Sequence, residues 1–170
     1  VLASLLTHEY LLPSIREKGG AYGAGAKANE NGLFNFYSFW DPKMEATFDN
    51  FEKSLQRVCN KEFTDSELDQ VKLSTFQRLD KVLEPSLKGM LEFARGYTDS
   101  QKMKHRINAL ECTVDDVSQL AEKILMKQIE NGHTSRVVFG PKLISNEEIK
   151  EKGWAVEKPL EFLSNSYFDK

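Results

Sequence analysis

The order of helical and strand signals predicts an α+β domain, with helices on one or both faces of a mostly antiparallel sheet. Three observations carry that expectation. A helical apolar pattern opens the chain over residues 1–18. Two strand signals, over 20–28 and 32–41, meet at Asn29-Glu30-Asn31-Gly32. Helical patterns then run on until one more short strand at Arg136-Val137-Val138-Phe139. Three strands make a thin sheet, so further strands are expected upstream of Val1. The chain starts without Met and directly inside a helix, and it reads as a piece of a longer polypeptide. Residues 1–158 are expected as one domain and 159–170 as a weakly ordered tail.

The first helix places Leu2, Leu5, Leu6, Tyr10 and Leu12 on its apolar side. Pro13 should kink it or restart its last part, and Gly19-Gly20 should stop it. In the hairpin, Asn-Gly tolerates the positive φ angles of a tight turn. The first strand is nearly all Gly and Ala. The second, Leu33-Phe34-Asn35-Phe36-Tyr37-Ser38-Phe39-Trp40, is apolar on both faces, the pattern of a central strand covered on two sides. Asp41-Pro42 ends it.

Met44, Phe48, Phe51, Leu55 and Val58 then repeat at helical spacing. Thr64-Asp65-Ser66-Glu67 is a capping box, because Thr and Glu each satisfy a free backbone N–H. It opens a helix carrying Leu68, Val71, Phe76 and Leu79. Pro85 and Ser86 interrupt the chain, and helical stretches follow near 86–97 and 99–109. Thr113 starts another, with Val117, Leu120, Ala121, Ile124 and Leu125 inward and Asn131-Gly132 at its end. Ser145-Asn146-Glu147-Glu148 caps a last short helix.

The 170 residues are 40% hydrophobic and 29% charged, with a net charge of -3. That balance gives no electrostatic reason to expect a nucleic-acid partner or an anionic membrane surface. No apolar run approaches the ~20 residues of a membrane span. Cys59 and Cys112 lack C-x-x-C spacing and read as reduced thiols.

No catalytic motif for a metal or a nucleophile stands complete. His8, His105 and His133 are far apart, and neither H-x-x-E-H nor H-E-x-x-H occurs; each reads as a surface or capping histidine. There is no G-x-S-x-G elbow. Gly23-x-Gly25-x-x-Ala28 imitates a dinucleotide fingerprint, but that fingerprint needs a helix after the glycines, and a hairpin follows here. The small residues of this strand have two other uses: making room for helix packing, or letting a peptide backbone pair closely with a sheet edge. Residue types leave both open. The sharpest constellation is Arg16 through Gly23, a fixed cation at a helix end and the Tyr22 phenol on the next strand, joined by a glycine turn. Both are donors able to hold a carbonyl or a developing oxyanion. By spacing alone, a surface cation beside a half-buried aromatic fits as well.

Ile15-Arg16-Glu17-Lys18-Gly19-Gly20-Ala21-Tyr22-Gly23-Ala24-Gly25-Ala26, with Tyr37-Ser38-Phe39-Trp40-Asp41-Pro42 after the turn, resembles a known pattern. It is similar to the C-terminal domain of the presequence protease and falcilysin branch of the pitrilysin (insulysin) family of zinc metallopeptidases. The likeness continues through Thr64–Leu79, Pro85–Met90, Val137–Gly140 and the region of Trp154. The resemblance implies a pitrilysin-type metallohydrolase domain, one of four similar domains whose two halves close around a chamber. It implies an ATP-independent zinc endopeptidase for short unfolded peptides such as cleaved targeting presequences, in the mitochondrial matrix.

The Zn2+ ligands of that family lie in the N-terminal half, so this chain is expected to bind no metal. Its partners would be peptide substrates and the N-terminal half of the same polypeptide. By the same resemblance Arg16 and Tyr22 complete the active site in trans. They would hydrogen-bond the substrate carbonyl and stabilise the tetrahedral intermediate, while Gly19, Gly20 and Gly23 shape the substrate-binding turn and strand. The alternative is a non-catalytic binding or scaffold domain of the same fold, as in processing-peptidase or respiratory-complex core subunits. One residue departs from the branch: it usually has Arg where Trp40 stands, which puts any local role of that Arg in doubt.

Overall fold

Leu2, Leu5, Leu6 and Leu11 bury one side of the helix that opens the chain, and they belong to the hydrophobic core cluster. The computed structural model describes residues 1–29, 32–80, 82, 84–139, 151 and 153–155. They fall in two units, Val1–Thr134 and Ser135–Lys170. All elements named below belong to the first.

Helix α1 (Leu2–Leu5) runs without a break into a π-helical segment, Leu6–Glu17, that contains Pro13. The helix runs on through Pro13 rather than starting afresh there, as the sequence had allowed. The wider π winding closes hydrogen bonds five residues apart, and Lys18 N–H donates to the Pro13 carbonyl at 3.2 Å on that spacing. The winding also moves the buried stripe. Leu11, not Leu12, is fully buried, between Leu6 and Ile15.

Strands β1 (Gly23–Ala28) and β2 (Phe34–Phe39) pair antiparallel from Gly23 opposite Phe39 to Ala28 opposite Phe34. Ala24 and Ala26 are buried in the core cluster that also holds α1 and the π segment. On β2, Phe34, Phe36 and Ser38 are half-buried, whereas Asn35, Tyr37 and Phe39 are exposed. The expectation of a strand covered on two sides is therefore corrected. Among the described residues the sheet has two strands, and only one face of β2 is covered.

Helix α2 (Met44–Cys59) lies on that covered face, with Phe51 stacked on Phe36 at 5.1 Å. Its buried Leu55 and Val58 join Leu5, Leu6, Leu11, Ile15 and Leu68 as the largest fully buried side chains. Helix α3 (Asp65–Leu79) starts at the Thr64–Glu67 capping box that the sequence announced. A 3-10 turn, Pro85–Leu87, leads to α4 (Met90–Arg95), which is bounded by Gly89 and Gly96, both left-handed.

Helices α5 (Asp99–Glu111) and α6 (Val114–Leu120) each start at a threonine capping box. A π turn, Ala121–Met126, joins α6 to α7 (Lys127–Glu130). Two expected inward residues are corrected: Leu120 and Ile124 are about half exposed. Val117 and Ala121, also expected inward, are buried, and Leu125, expected inward too, is half-buried against the core with Ile129. The inward stripe advances in fours, which leaves 120 and 124 one position to its side.

In the second unit, the described residues Arg136–Phe139 form no strand, contrary to expectation. Val137 is 84% and Phe139 95% exposed. A strand is stabilised by a ladder partner and a covered face, and none is found among the described residues. The expected helix at Ser145 and the tail from Pro159 lie outside the described residues.

Candidate functional site

The π segment delivers Arg16 to its last turn, where a cation meets the partial negative charge of the helix end. The chain then reverses within four residues. Gly20 N–H donates to the Arg16 carbonyl at 3.0 Å, and Ala21 N–H to the Ile15 carbonyl at 3.1 Å. Gly19 sits so close to the preceding turn that a Cβ there would stand 2.3 Å from the Ile15 oxygen. Only glycine fits. Gly20 has φ +87, the left-handed region, which side chains avoid for steric reasons. These two glycines fix the bend that sends the chain into β1 with Tyr22 at its entrance. Gly23, the third glycine singled out by sequence, has no atom within 4 Å of where its Cβ would be. It leaves space rather than filling a tight contact.

Arg16 and Tyr22 line one open recess of about 800 Å³ together with Glu17, Gly20, Ala21 and Trp40. The Arg16 guanidinium has no hydrogen-bond or ion-pair partner among the described residues. The Tyr22 ring is 67% exposed. Its backbone N–H donates to the Phe39 carbonyl at 3.0 Å, which ties the entrance of β1 to the exit of β2. Two uncommitted donors, one cationic and one phenolic, thus face solvent from a backbone held by hydrogen bonds and steric contact. Such a pair can bind a carbonyl oxygen, and binds it more strongly as negative charge develops.

Trp40 was not singled out as a site residue by sequence, yet it forms a wall of the recess. Its backbone is left-handed, with φ +46, an outlier for a bulky residue that costs roughly 1–3 kcal/mol. Its ring stacks on Phe39 at 4.9 Å, and Tyr22 stands edge-on to both rings, at 5.5 Å from Trp40 and 6.0 Å from Phe39. Each aromatic pair contributes about 0.5–1.5 kcal/mol, enough in sum to offset the strain. The signal available in sequence was the aromatic run halting at Asp41-Pro42. What that run does not encode is the left-handed turn that swings Trp40 beside Tyr22.

The Gly/Ala strand is used for packing over much of its length. The Tyr37 ring lies over Gly25, its oxygen 2.8 Å from the Cβ position of that glycine, and Lys27 sits over the same ring at 4.9 Å. The Ala26 N–H donates to Thr7 Oγ1 at 2.9 Å, so that part of the strand is committed within the domain.

Other titratable groups have structural partners. Burial is the main cause that pushes both half-buried thiols, Cys59 and Cys112, up in pKa. Glu122 adds to the effect at Cys59, and Lys72 opposes it at Cys112. Thiols held protonated are poor nucleophiles. Tyr10 is pushed up to about 12, chiefly by burial, while its hydroxyl donates to the Glu62 carbonyl at 2.6 Å. His8 is exposed, His105 pairs with the Tyr97 hydroxyl, and His133 with Gln128. Among the described residues no three His, Cys, Asp or Glu side chains gather as a metal would require. They do not fit a zinc ion. No helix is long and apolar enough to cross a membrane among the described residues.

A family model described as the PreP C-terminal domain matches residues 1–141, and the chain belongs to that family. Its relatives include the mitochondrial presequence protease of Eremothecium gossypii, 40% identical over 160 residues, which are 93% of this chain and 16% of that protein. The mitochondrial presequence proteases of Yarrowia lipolytica (38% over 157 residues) and Mus musculus (33% over 157 residues) each align with 92% of this chain and 15% of their own length. The chain thus spans about one sixth of these relatives.

Proposed function

We propose that this domain is the C-terminal substrate-binding part of a zinc metalloendopeptidase with the pitrilysin-type fold. The protease would degrade short unfolded peptides, such as cleaved presequences, in the mitochondrial matrix. Relatives bearing the name presequence protease support the substrate class and the compartment. The zinc ligands and the catalytic base belong to the N-terminal half of the same polypeptide, which closes over this recess. Arg16 and Tyr22 act in trans. Their guanidinium and phenol donate to the scissile carbonyl oxygen and hold it as the carbon becomes tetrahedral and the oxygen gains charge. Gly19 and Gly20 make the bend that aims both groups, and Gly23 leaves the peptide room at the mouth of β1.

The single observation that carries this reading is that Arg16 and Tyr22, six residues apart and on opposite sides of a glycine bend, line the same recess with both donor groups uncommitted among the described residues. In the full-length polypeptide, Tyr22→Phe and Arg16→Ala should each lower kcat by roughly ten- to a thousand-fold, the range for a lost oxyanion donor. Steady-state cleavage of a quenched fluorescent peptide measures this. Unchanged turnover in both variants would remove the assigned role.

A further inference from the structure

We propose that Trp40 is a positioning residue for Tyr22, and that the stacked Phe39–Trp40 pair is the clamp that orients the Tyr22 phenol toward the recess. The inference deepens the reading above and rests on it.

Tyr22 needs such a device. Its side chain is two-thirds exposed, and its ring contacts are Phe39 and Trp40, both edge-on. An exposed phenol on a strand entrance otherwise samples several rotamers, and a donor that must meet a developing charge loses rate when its aim is loose. The two rings restrict that freedom from one side. Phe39 lies opposite Gly23 in the register, and Trp40 follows it at the end of β2. Phe39 and Trp40 are stacked only 17° from parallel, and Tyr22 meets both at steep angles, 78° and 65°.

The backbone at Trp40 gives the second, independent reason. A φ of +46 is comfortable for glycine and awkward for tryptophan. Chain reversal alone would be served better by glycine, so the ring is what this position retains against its own backbone preference. Strain of this kind collects at functional sites. The indole is also 74% exposed, so burying apolar area in the core does not account for it. Among the described residues its ring contacts are Phe39 and Tyr22, and it lines the recess.

Trp40→Gly is the informative variant, because it removes the ring and relieves the backbone together. In the full-length polypeptide its thermal midpoint should stay close to that of the parent protein, because relief of the backbone strain offsets the lost ring contacts. Its kcat for a quenched fluorescent peptide should fall roughly five- to fifty-fold with KM within about twofold, the pattern of an interaction lost in the transition state. Trp40→Phe keeps a flat ring on Phe39 and should recover most of the rate. Added to Tyr22→Phe, Trp40→Gly should cause no further loss, because a residue that acts through the phenol has nothing left to orient. The inference is overturned by normal kcat in Trp40→Gly, by a rise in KM alone, or by losses that multiply in the double variant. If Tyr22→Phe is slow while Trp40→Gly is normal, the clamp fails and the role of Tyr22 stands. If Tyr22→Phe turns over normally, the role of Tyr22 fails and takes the clamp with it.

Discussion

The corner where the π segment meets β1 and the helical stretch from Gly89 to Glu111 are held together in opposite ways. At the corner, a tight steric contact of Gly19 against Ile15 combines with bonds between residues far apart in sequence, Tyr22 to Phe39 and Ala26 to Thr7. In α4 and α5 local chemistry decides it. Left-handed glycines bound α4, and Thr98 and Gln101 cap α5. Helix α5 has no fully buried residue, and Arg106 reaches Asp80 across the surface. Exposed ion pairs of that kind contribute little. Local caps make a helix start where it should, but they cannot hold a side chain to a fraction of an ångström. The candidate site is built at the corner, where sterics leave the least latitude.

The contrast can be broken most directly at Gly19. Gly19→Ala forces a Cβ into the Ile15 carbonyl, and it should destabilise the domain by roughly 2–4 kcal/mol. Urea unfolding would register this as a lower midpoint, and a loss below about 0.5 kcal/mol would mean the corner yields easily. On the other side of the comparison, Thr98→Ala removes one side-chain acceptor from the start of α5 and should cost about 1 kcal/mol. Amide exchange should quicken in the first turn of α5 and leave the corner untouched; a matching change at Ala21 or Tyr22 would show that the two regions are not independent.

The smallest effect concerns acid. Hydrogen bonds from the Thr64 backbone N–H and hydroxyl hold the Glu67 carboxyl below its ordinary 4.5. A lowered folded-state pKa favours the folded state above pH 4.5 and loses that contribution as pH falls below it. The same holds in direction for Asp116 at Thr113. Side-chain NMR titration of Glu67 should show its pKa depressed, and Thr64→Ala, which removes the hydroxyl but keeps the backbone N–H, should raise it part of the way. An unchanged pKa in that variant would mean that the hydroxyl does not contribute.

Local rules were readable in the sequence to the extent that single residues enforce them. The capping box at Thr64 and the glycine stop after Glu17 announced themselves, and the Arg16–Tyr22 spacing marked two residues that line one recess. What could not be read depends on winding and on partners. Hydrogen bonds closed four or five residues apart look alike in a leucine-rich stretch, so Leu12 was expected where Leu11 is buried, and Leu120 and Ile124 were expected inward. Alternating aromatics in β2 state that both faces are apolar, not that both are covered. Trp40 was visible only as an oddity, because a left-handed φ in a bulky residue has no compositional signature.

One small contact near the start of the chain has a wider consequence. Thr7 takes the Ala26 N–H with the same hydroxyl that donates to the Ala3 carbonyl at 2.7 Å. Exposed amides along a strand flank invite a foreign chain to zip on, the first step toward amyloid-like stacking. A glycine- and alanine-rich ribbon has no bulky side chains to fend off such an intruder. Here a single hydroxyl from the neighbouring helix occupies the middle of that flank, so the ribbon can stay slender without becoming a template.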